Sequence, residues 1–214
     1  PIFSTKERFM RKAVIALAML TLPGAVLAES PNWNKVDASY LDTDVGVDGA
    51  GDLSFDGFRV GGSAAINPDL VVLDNLFVFA DFDSVSNDDS GFDLDIDFLS
   101  AGIGSYKHLT ETTDLYATAS FERAKFSGSV QEFSASASEN AWGVGIGLRS
   151  MLTPNVEVDA KLDYVAFDEE LIRFNLSAFY HVTKNFSVGL GYEIHRETQD
   201  LDIDSLSATV RYSF

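Results

Sequence analysis

Alternation of apolar and polar residues, continued to the last residue, is the feature that most constrains this fold. In the C-terminal segment Leu206, Ala208, Val210, Tyr212 and Phe214 share one parity, and the residues between them are Ser, Thr and Arg. Successive side chains of a strand point to opposite faces, so a period of two predicts one apolar and one polar face. The segments 186–195, 172–182 and 156–166 repeat the pattern. The chain is therefore predicted to be all-β.

The same alternation, weaker in the first half of the chain, predicts ten strands. They are 34–42, 54–66, 75–86, 92–107, 113–126, 139–151, 156–167, 171–182, 186–197 and 202–214. Within 92–107 the apolar parity changes near Phe98 and Leu99, which predicts a β-bulge.

Two kinds of connection alternate along the chain. The turns 67–74, 108–112, 152–155 and 183–185 are expected at one end of the sheet, together with both termini. The loops 43–53, 86–91, 127–138, 168–170 and 197–201 are expected at the other end. The loops 43–53 and 127–138 are long and rich in Gly, Ser and acidic residues, which is typical of irregular segments.

The first 28 residues have the pattern of an export signal. Met10-Arg11-Lys12 is basic, Ala13–Thr21 is a short apolar run, and small residues precede Glu29. This order is typical of a secretory signal peptide with cleavage after Ala28. The apolar stretch from Ala13 to Ala28 contains Pro23 and Gly24, and it is shorter than the roughly 20 residues of a membrane-spanning helix. We expect a signal peptide over 1–28, starting at Met10, and one domain over 29–214.

Strand length and composition separate a soluble sandwich from a membrane barrel. The predicted strands are about 10–13 residues long, which suits a tilted membrane crossing, whereas globular strands average about 5–6. The chain has no cysteine, although the leader predicts export. Aromatic residues lie near the ends of the apolar stripes, as in the girdles of membrane barrels. An even number of strands also permits closure, which leaves no open edge in lipid.

The last residues carry a resemblance to a known family. The segment Ala208-Thr209-Val210-Arg211-Tyr212-Ser213-Phe214 resembles the C-terminal signature of Gram-negative outer-membrane proteins, with alternating apolar residues and a terminal Phe. With the leader, short turns and longer loops, residues 29–214 resemble the small OmpA/OmpX-like barrels. The resemblance implies a closed, antiparallel, up-and-down transmembrane β-barrel in the outer membrane. It also implies that the barrel assembly machinery reads Val210, Tyr212 and Phe214. Common members have eight strands, so eight is the alternative to ten.

Charges of both signs fall on the inward parity of the predicted barrel. We expect them to form a lumen network, either as ion pairs that plug a narrow barrel or as the lining of a selective pore. The predicted members are Arg59, Glu122, Arg149, Glu157, Asp159, Lys161, Asp163, Arg173, Glu193, His195 and Arg211.

The acidic balance and the few histidines limit the remaining chemistry. The net charge is −18, opposite to what a nucleic-acid binder requires. Asp93, Asp95 and Asp97 lie on one face about 6.6 Å apart, too far apart to form a calcium cage by themselves. A solvated acidic surface is expected, with diffuse attraction of divalent cations near lipopolysaccharide phosphates as the alternative. No metal site and no cofactor are predicted.

The sequence predicts a non-enzymatic outer-membrane barrel with a role in envelope structure, surface interaction or narrow-pore permeability. Outer-membrane lipid and lipopolysaccharide are the expected partners. The first alternative is an enzyme that modifies outer-membrane lipid, for which His195 with Glu193 is the best acid–base pair. The second is a secreted, soluble β-sandwich.

Overall fold

A computed structural model describes residues 30–47, 51–66, 75–87, 93–130, 133–197 and 201–214. The predicted leader 1–28 and turn 67–74 lie outside the described residues, as do most of the predicted loops 86–91 and 197–201. Among the described residues, no helix is long and apolar enough to cross a membrane.

Ten antiparallel strands form one closed barrel, which confirms the predicted fold class and the count of ten. The strands are β1 (Lys35–Val47), β2 (Gly51–Ile66), β3 (Leu76–Asn87), β4 (Asp93–His108), β5 (Thr113–Val130), β6 (Phe133–Thr153), β7 (Val156–Val165), β8 (Leu171–His181), β9 (Phe186–Glu197) and β10 (Leu201–Ser213). Each strand pairs with its neighbours in sequence, and β1 pairs with β10 from Lys35↔Ser213 to Val47↔Leu201. Closure removes the free edges that lipid cannot satisfy.

Apolar side chains on the outer wall are exposed, as a lipid-facing surface requires. Val210, Ile146, Val188 and Leu176 are 53%, 53%, 47% and 42% exposed, and Leu190 is half-buried. On β6 the outward apolar stripe runs from Leu152 to Trp142, about 34 Å along the strand. At a tilt of about 40° it spans about 26 Å, the height of the apolar band of outer-membrane barrels. This outer wall excludes the soluble sandwich, in which these residues would be buried.

Aromatic side chains mark both rims of this stripe. At the turn end, the rings of Tyr212 and Phe214 lie 6.4 Å apart on the outer face, and Phe186 lies 5.2 Å from Tyr212. At the loop end, Trp142 is exposed, is paired with Phe121 and lies 6.1 Å from Tyr164. Phe214 donates its backbone N–H to the carbonyl of Asn34, so the last residue lies beside the start of β1.

Three connections that the structure describes lie at the end that holds Asn34 and Phe214. They are the turns 109–112, 154–155 and 182–185, and backbone hydrogen bonds link them to neighbouring strands, as from Ser213 N to Asn185 O. The predicted loops 43–53 and 127–138 were wrong, because strand pairing continues through most of both segments. In 43–47 the apolar Val45 faces inward and Asp44 faces outward, so the phase of the alternation is reversed. In 127–138 Gly, Ser and Ala lie on both faces, so apolar and polar residues do not alternate although the strands remain paired.

The predicted bulge near Phe98 and Leu99 was also wrong. β4 keeps continuous register with β3 and with β5 through both residues. Ile96 and Phe98 belong to the apolar packing inside the barrel, whereas Leu99 and Ile103 face outward. The apolar residues change face because the inside of the barrel is apolar near the loop end. In the described strands, the register shift lies instead between Met151 and Thr153.

Candidate functional site

The inside of the barrel is filled in three layers, and the first is aromatic and lies at the turn end. Trp33, in the segment before β1, stacks on Phe77 and Tyr106 with ring centroids 4.3 and 4.8 Å away and meets the edge of Tyr116 at 5.1 Å. Trp33, Phe77 and Tyr116 are buried. Glycines on neighbouring strands make room: a Cβ at Gly147 would lie 2.3 Å from the Tyr116 ring. The aromatic layer therefore occupies the mouth that the turns surround.

Ion pairs form the second layer, and its lower part centres on Glu157. This fully buried carboxylate accepts hydrogen bonds from Arg149 at 2.8 Å and from Arg211 at 2.7 Å. His181 Nε2 lies 3.3 Å from its second oxygen. Arg211 also donates to both oxygens of Asp37, at 2.7 and 3.0 Å, and stacks over the ring of Phe179. Buried guanidinium groups are thus balanced by carboxylates, as charges in a narrow lumen require.

The upper part of the second layer joins two further arginines to acids from distant strands. Arg59 donates to Asp83 at 2.5 Å and to Glu193 at 2.8 Å. Arg173 lies 3.4 Å from both Glu122 and Asp163. The contacts with Glu193 and Glu122 connect β2 with β9 and β8 with β5, so the network joins strands that are not neighbours in the barrel.

Two predicted members of the network make local contacts. Lys161 pairs with Asp163 at 2.9 Å, and Asp159 accepts a hydrogen bond from the hydroxyl of Tyr116 at 2.7 Å. The eleven predicted lumen residues all have ion-pair or hydrogen-bond partners inside the barrel. Between these side chains lies a cavity of about 190 Å³.

His195 and Glu193 share a hydrogen bond of 3.0 Å between Nε2 and Oε1, and both are buried. Glu193 is also held by Arg59 and by Asn175 at 3.2 Å. The ring of Phe98 lies edge-on to the imidazole at 5.7 Å. The pair lies inside the barrel and away from the lipid-facing wall, which does not suit an enzyme that acts on membrane lipid.

The third layer is apolar and lies between the ion pairs and the loop end. Its buried residues are Leu41, Val45, Phe55, Val85, Ile96 and Ile203, with Leu94 and Phe98 packed against them. Within this layer, Thr43 and Ser205 share a hydroxyl hydrogen bond of 2.8 Å. The polar cavity thus lies between apolar packing above the ion pairs and aromatic packing below them.

Several residues of this interior were not predicted from the sequence. Asp114 is completely buried and accepts hydrogen bonds from the indole of Trp33 at 2.9 Å and from His108 at 2.6 Å. Asp37 and Asp83 each bind an arginine of the network. All three acids have the inward parity, which was a usable signal. The position of Trp33 had no sequence signal, because it precedes the first alternating strand.

Acidic side chains gather on the outer wall above the apolar stripe. Asp42 is paired with Asp56, and Asp44 with Asp204. Arg196 lies 3.0 Å from Asp204, and the hydroxyl of Tyr40 donates to Asp56. Among the described residues, no group of His, Asp and Glu side chains is arranged to hold a metal ion.

The hairpin of β5 and β6 extends past the aromatic rim. Beyond Phe121 and Trp142, the two strands remain paired to Val130↔Phe133, about 30 Å further along the strands. In the described residues β7 pairs with β6 only from Gly143 onward, and Ala166 donates to the carbonyl of Trp142. Residues 133–141 of β6 thus have β5 on one side and no described strand on the other. The side chains Ser134, Ala135, Ser136, Ala137 and Ser138 are all exposed.

Comparison with known proteins identifies the family. The family model described as "Outer membrane protein beta-barrel domain" matches residues 13–179. The chain belongs to this family. The outer membrane protein beta-barrel family places the protein in the outer membrane, and the apolar outer wall is its lipid-facing surface. The match ends within β8, and β9 and β10 complete the closed barrel.

Solved structures resemble the chain at low sequence identity. An outer membrane channel from Pseudomonas putida F1 is 8% identical, with a TM-score of 0.50, and the match covers 91% of this chain and 100% of that one. Ail, the attachment invasion locus protein of Yersinia pestis, is 18% identical, with a TM-score of 0.47 and coverage of 85% and 99%. Neisserial surface protein A is 17% identical, with a TM-score of 0.43 and coverage of 84% and 96%. No curated protein matches the sequence significantly. At these identities, the likeness to the Pseudomonas channel concerns the barrel fold alone.

Proposed function

We propose that this outer-membrane barrel is a non-enzymatic surface-interaction protein that binds an extended segment of a partner protein along the free edge of β6. The observation that carries this proposal is the edge of residues 133–138 beyond the aromatic rim, along which no described strand is paired. Next to this edge, the backbone N–H of Asp168 donates to the side chain of Glu139. An exposed strand edge presents unpaired N–H and C=O groups, which another extended chain can pair with. The small Ser and Ala side chains leave room for bulky residues of the partner.

The backbone groups at this edge can be assigned from the neighbouring ladder. Because the carbonyl of Trp142 accepts from Ala166, the even-numbered residues of β6 direct their N–H and C=O groups away from β5. Ser134, Ser136 and Ser138 therefore present the free groups, and Ala135 and Ala137 pair with β5.

The filled interior supports a surface role over a permeability role. Packed apolar and aromatic side chains lie on either side of the polar cavity, and the predicted charge network is paired across the lumen. We propose that the network, including His195, braces the barrel and does not select a solute. The inward position of His195 and Glu193 likewise supports a structural role for this pair over lipid chemistry.

We also propose how the chain is exported, assembled and placed against lipid. Residues 1–28 serve as a cleaved signal peptide, and residues 29–214 form the exported domain. Val210, Tyr212 and Phe214 are read by the barrel assembly machinery, which fits their outward position at the turn end. The lipid-facing wall contacts outer-membrane lipid and lipopolysaccharide, and the acidic wall above it attracts divalent cations diffusely.

Proline substitution at the free edge tests the surface function. The probe is a fluorescently labelled peptide with the sequence of residues 121–130, the strand that β6 already pairs with. The variant S136P/S138P removes two edge donors and leaves the β5 ladder intact, since both N–H groups point away from β5. We expect its affinity for the peptide, measured by anisotropy in detergent, to fall about tenfold or more.

The matched control is S136A/S138A, which removes the same hydroxyl groups and retains both backbone donors. Its affinity should equal that of the unmodified protein. Equal binding by the proline variant would exclude pairing at this edge. Equal loss in both variants would assign binding to the serine side chains.

A further inference from the structure

We propose that residues 30–34 are an intramolecular plug that closes the turn-end mouth of the barrel, with Trp33 as its stopper. The segment precedes β1 and lies across the mouth. It is independent of the β6 edge, which lies at the opposite end of the molecule. Trp33 is only 6% exposed although it belongs to no strand.

The stopper fits a site made by three strands. Phe77 comes from β3, Tyr106 from β4 and Tyr116 from β5, and all three rings lie within 5.1 Å of the indole, centroid to centroid. Arg149 from β6 lies over the same indole at 5.0 Å. Such offset and edge contacts exclude water and add attraction beyond the buried area.

Four hydrogen bonds hold the plug in the mouth. The indole N–H donates to buried Asp114, and Arg149 donates to the carbonyl of Asn32 at 2.9 Å. Ser63 donates to the carbonyl of Trp33 at 2.6 Å, and Asn32 donates to the carbonyl of Phe214 at 3.3 Å. Asp114 is held in place by His108 as well, so it is a positioning residue for the plug.

The plug separates water at the turn end from the polar cavity. Lys35, Asp37, Ser63, Phe77 and Tyr116 line the cavity of about 190 Å³ and lie next to the plug or within its site. The opposite side of the cavity meets the apolar layer. Unseating Trp33 therefore opens the cavity toward the turn end, and the opened cavity admits small solutes from that side.

Cysteine accessibility measures whether the mouth is closed. The chain has no cysteine, so S177C places a single thiol on the cavity wall at β8. In folded protein in detergent we expect slow reaction of this thiol with a small methanethiosulfonate reagent. Adding W33A should raise the rate about tenfold or more, because a charge-assisted hydrogen bond and several ring contacts are lost. W142A in the same background is the matched control, since Trp142 faces outward, and it should leave the rate unchanged.

Two outcomes of the labelling experiment overturn the proposal. One is an unchanged rate in W33A protein that remains folded, as judged by circular dichroism. The other is an equal rise in W142A, which would show general loosening of the barrel.

If W33A fails to fold, quenching of Trp33 fluorescence tests the plug without changing any of its residues. The chain has two tryptophans, so W142F leaves Trp33 as the only indole. Acrylamide should quench its fluorescence several-fold less in the folded protein than in urea. Equal quenching in the two states would show that Trp33 is not seated in the mouth, and it would refute the plug whatever the function of β6.

Discussion

At the scale of single residues, the charged side chains that are fully buried place the strictest requirements on their neighbours. Arg149 and Arg211 are 1% and 2% exposed, and both donate to Glu157, which is 0% exposed. Transfer of such ions from water is costly, and their mutual contacts offset the cost only while every partner is present. Each partner must therefore occupy a specific position as well as carry the opposite charge.

Replacing Glu157 tests this restriction. Glu157→Ala leaves two buried guanidinium groups without their shared carboxylate, and we expect the free energy of unfolding to fall by about 3–5 kcal/mol. Urea titration of the folded barrel, followed by tryptophan fluorescence, measures the change. Asp202→Ala is the control, because its pair with Arg196 at 3.4 Å is exposed and should contribute less than about 1 kcal/mol. Similar small losses in both variants would contradict the bracing role of the lumen network.

At the scale of elements, alternation reports the contrast between the two faces of a strand. From Leu206 to Phe214, β10 and the last residue separate lipid from a polar lumen, and the period of two is complete over this part. β4 has an apolar inner face near the loop end, so its alternation changes phase without a bulge. The outer parts of β5 and β6 have water on both faces and show no contrast, although they pair continuously. Hydropathy therefore locates the membrane crossing better than it locates strand ends.

Arginine scanning along β6 tests the membrane crossing. Ile146 lies near the middle of the outward apolar stripe, and Leu152 lies at its turn-end rim. We expect Ile146→Arg to lower the free energy of unfolding in a lipid bilayer by about 2–4 kcal/mol and Leu152→Arg by about 0–1 kcal/mol. Equal costs at the two positions would contradict the assigned height of the stripe.

At the scale of the whole molecule, closure joins the two ends of the chain. β1 and β10 are paired along their full described length, and Phe214 is hydrogen-bonded to Asn34. The barrel closes only when β10 has paired with both β9 and β1. The exposed position of Phe214, at 58%, leaves its ring accessible on the outer face.

Deletion of Phe214 tests the importance of the terminal residue. We expect less folded protein in the outer membrane, measured by fractionation and immunoblotting at equal expression. Phe186→Ala removes a neighbouring ring of the same aromatic patch and keeps the C-terminus, and it should insert at nearly the normal level. Normal membrane levels of the truncated chain would show that the likeness of Val210, Tyr212 and Phe214 to an assembly signature is coincidental.

Electrical recording tests the filled interior of the whole barrel. In a planar bilayer we expect no steady single-channel current, because aromatic and apolar side chains pack inside the barrel on either side of the polar cavity. The S177C variant, recorded without the thiol reagent, is a control with the same lumen packing. A stable open current in the unmodified protein would favour narrow-pore permeability over the proposed surface role.

The sequence by itself determined the barrel, because each lipid-facing strand needs an apolar outer face and each membrane crossing needs a minimum length. The ten strands, their inward charges and the outward positions of Val210, Tyr212 and Phe214 all follow from parity. The pairing of Arg59 with Glu193, the seat of Trp33 and the free edge of β6 were decided only by the tertiary structure. Parity assigns a side chain to a face, but strand tilt and stagger decide which side chains from distant strands meet at the same height inside a closed barrel. Trp33 lies outside the alternation altogether, and its burial depends on rings that β3, β4 and β5 bring together only when the barrel has closed.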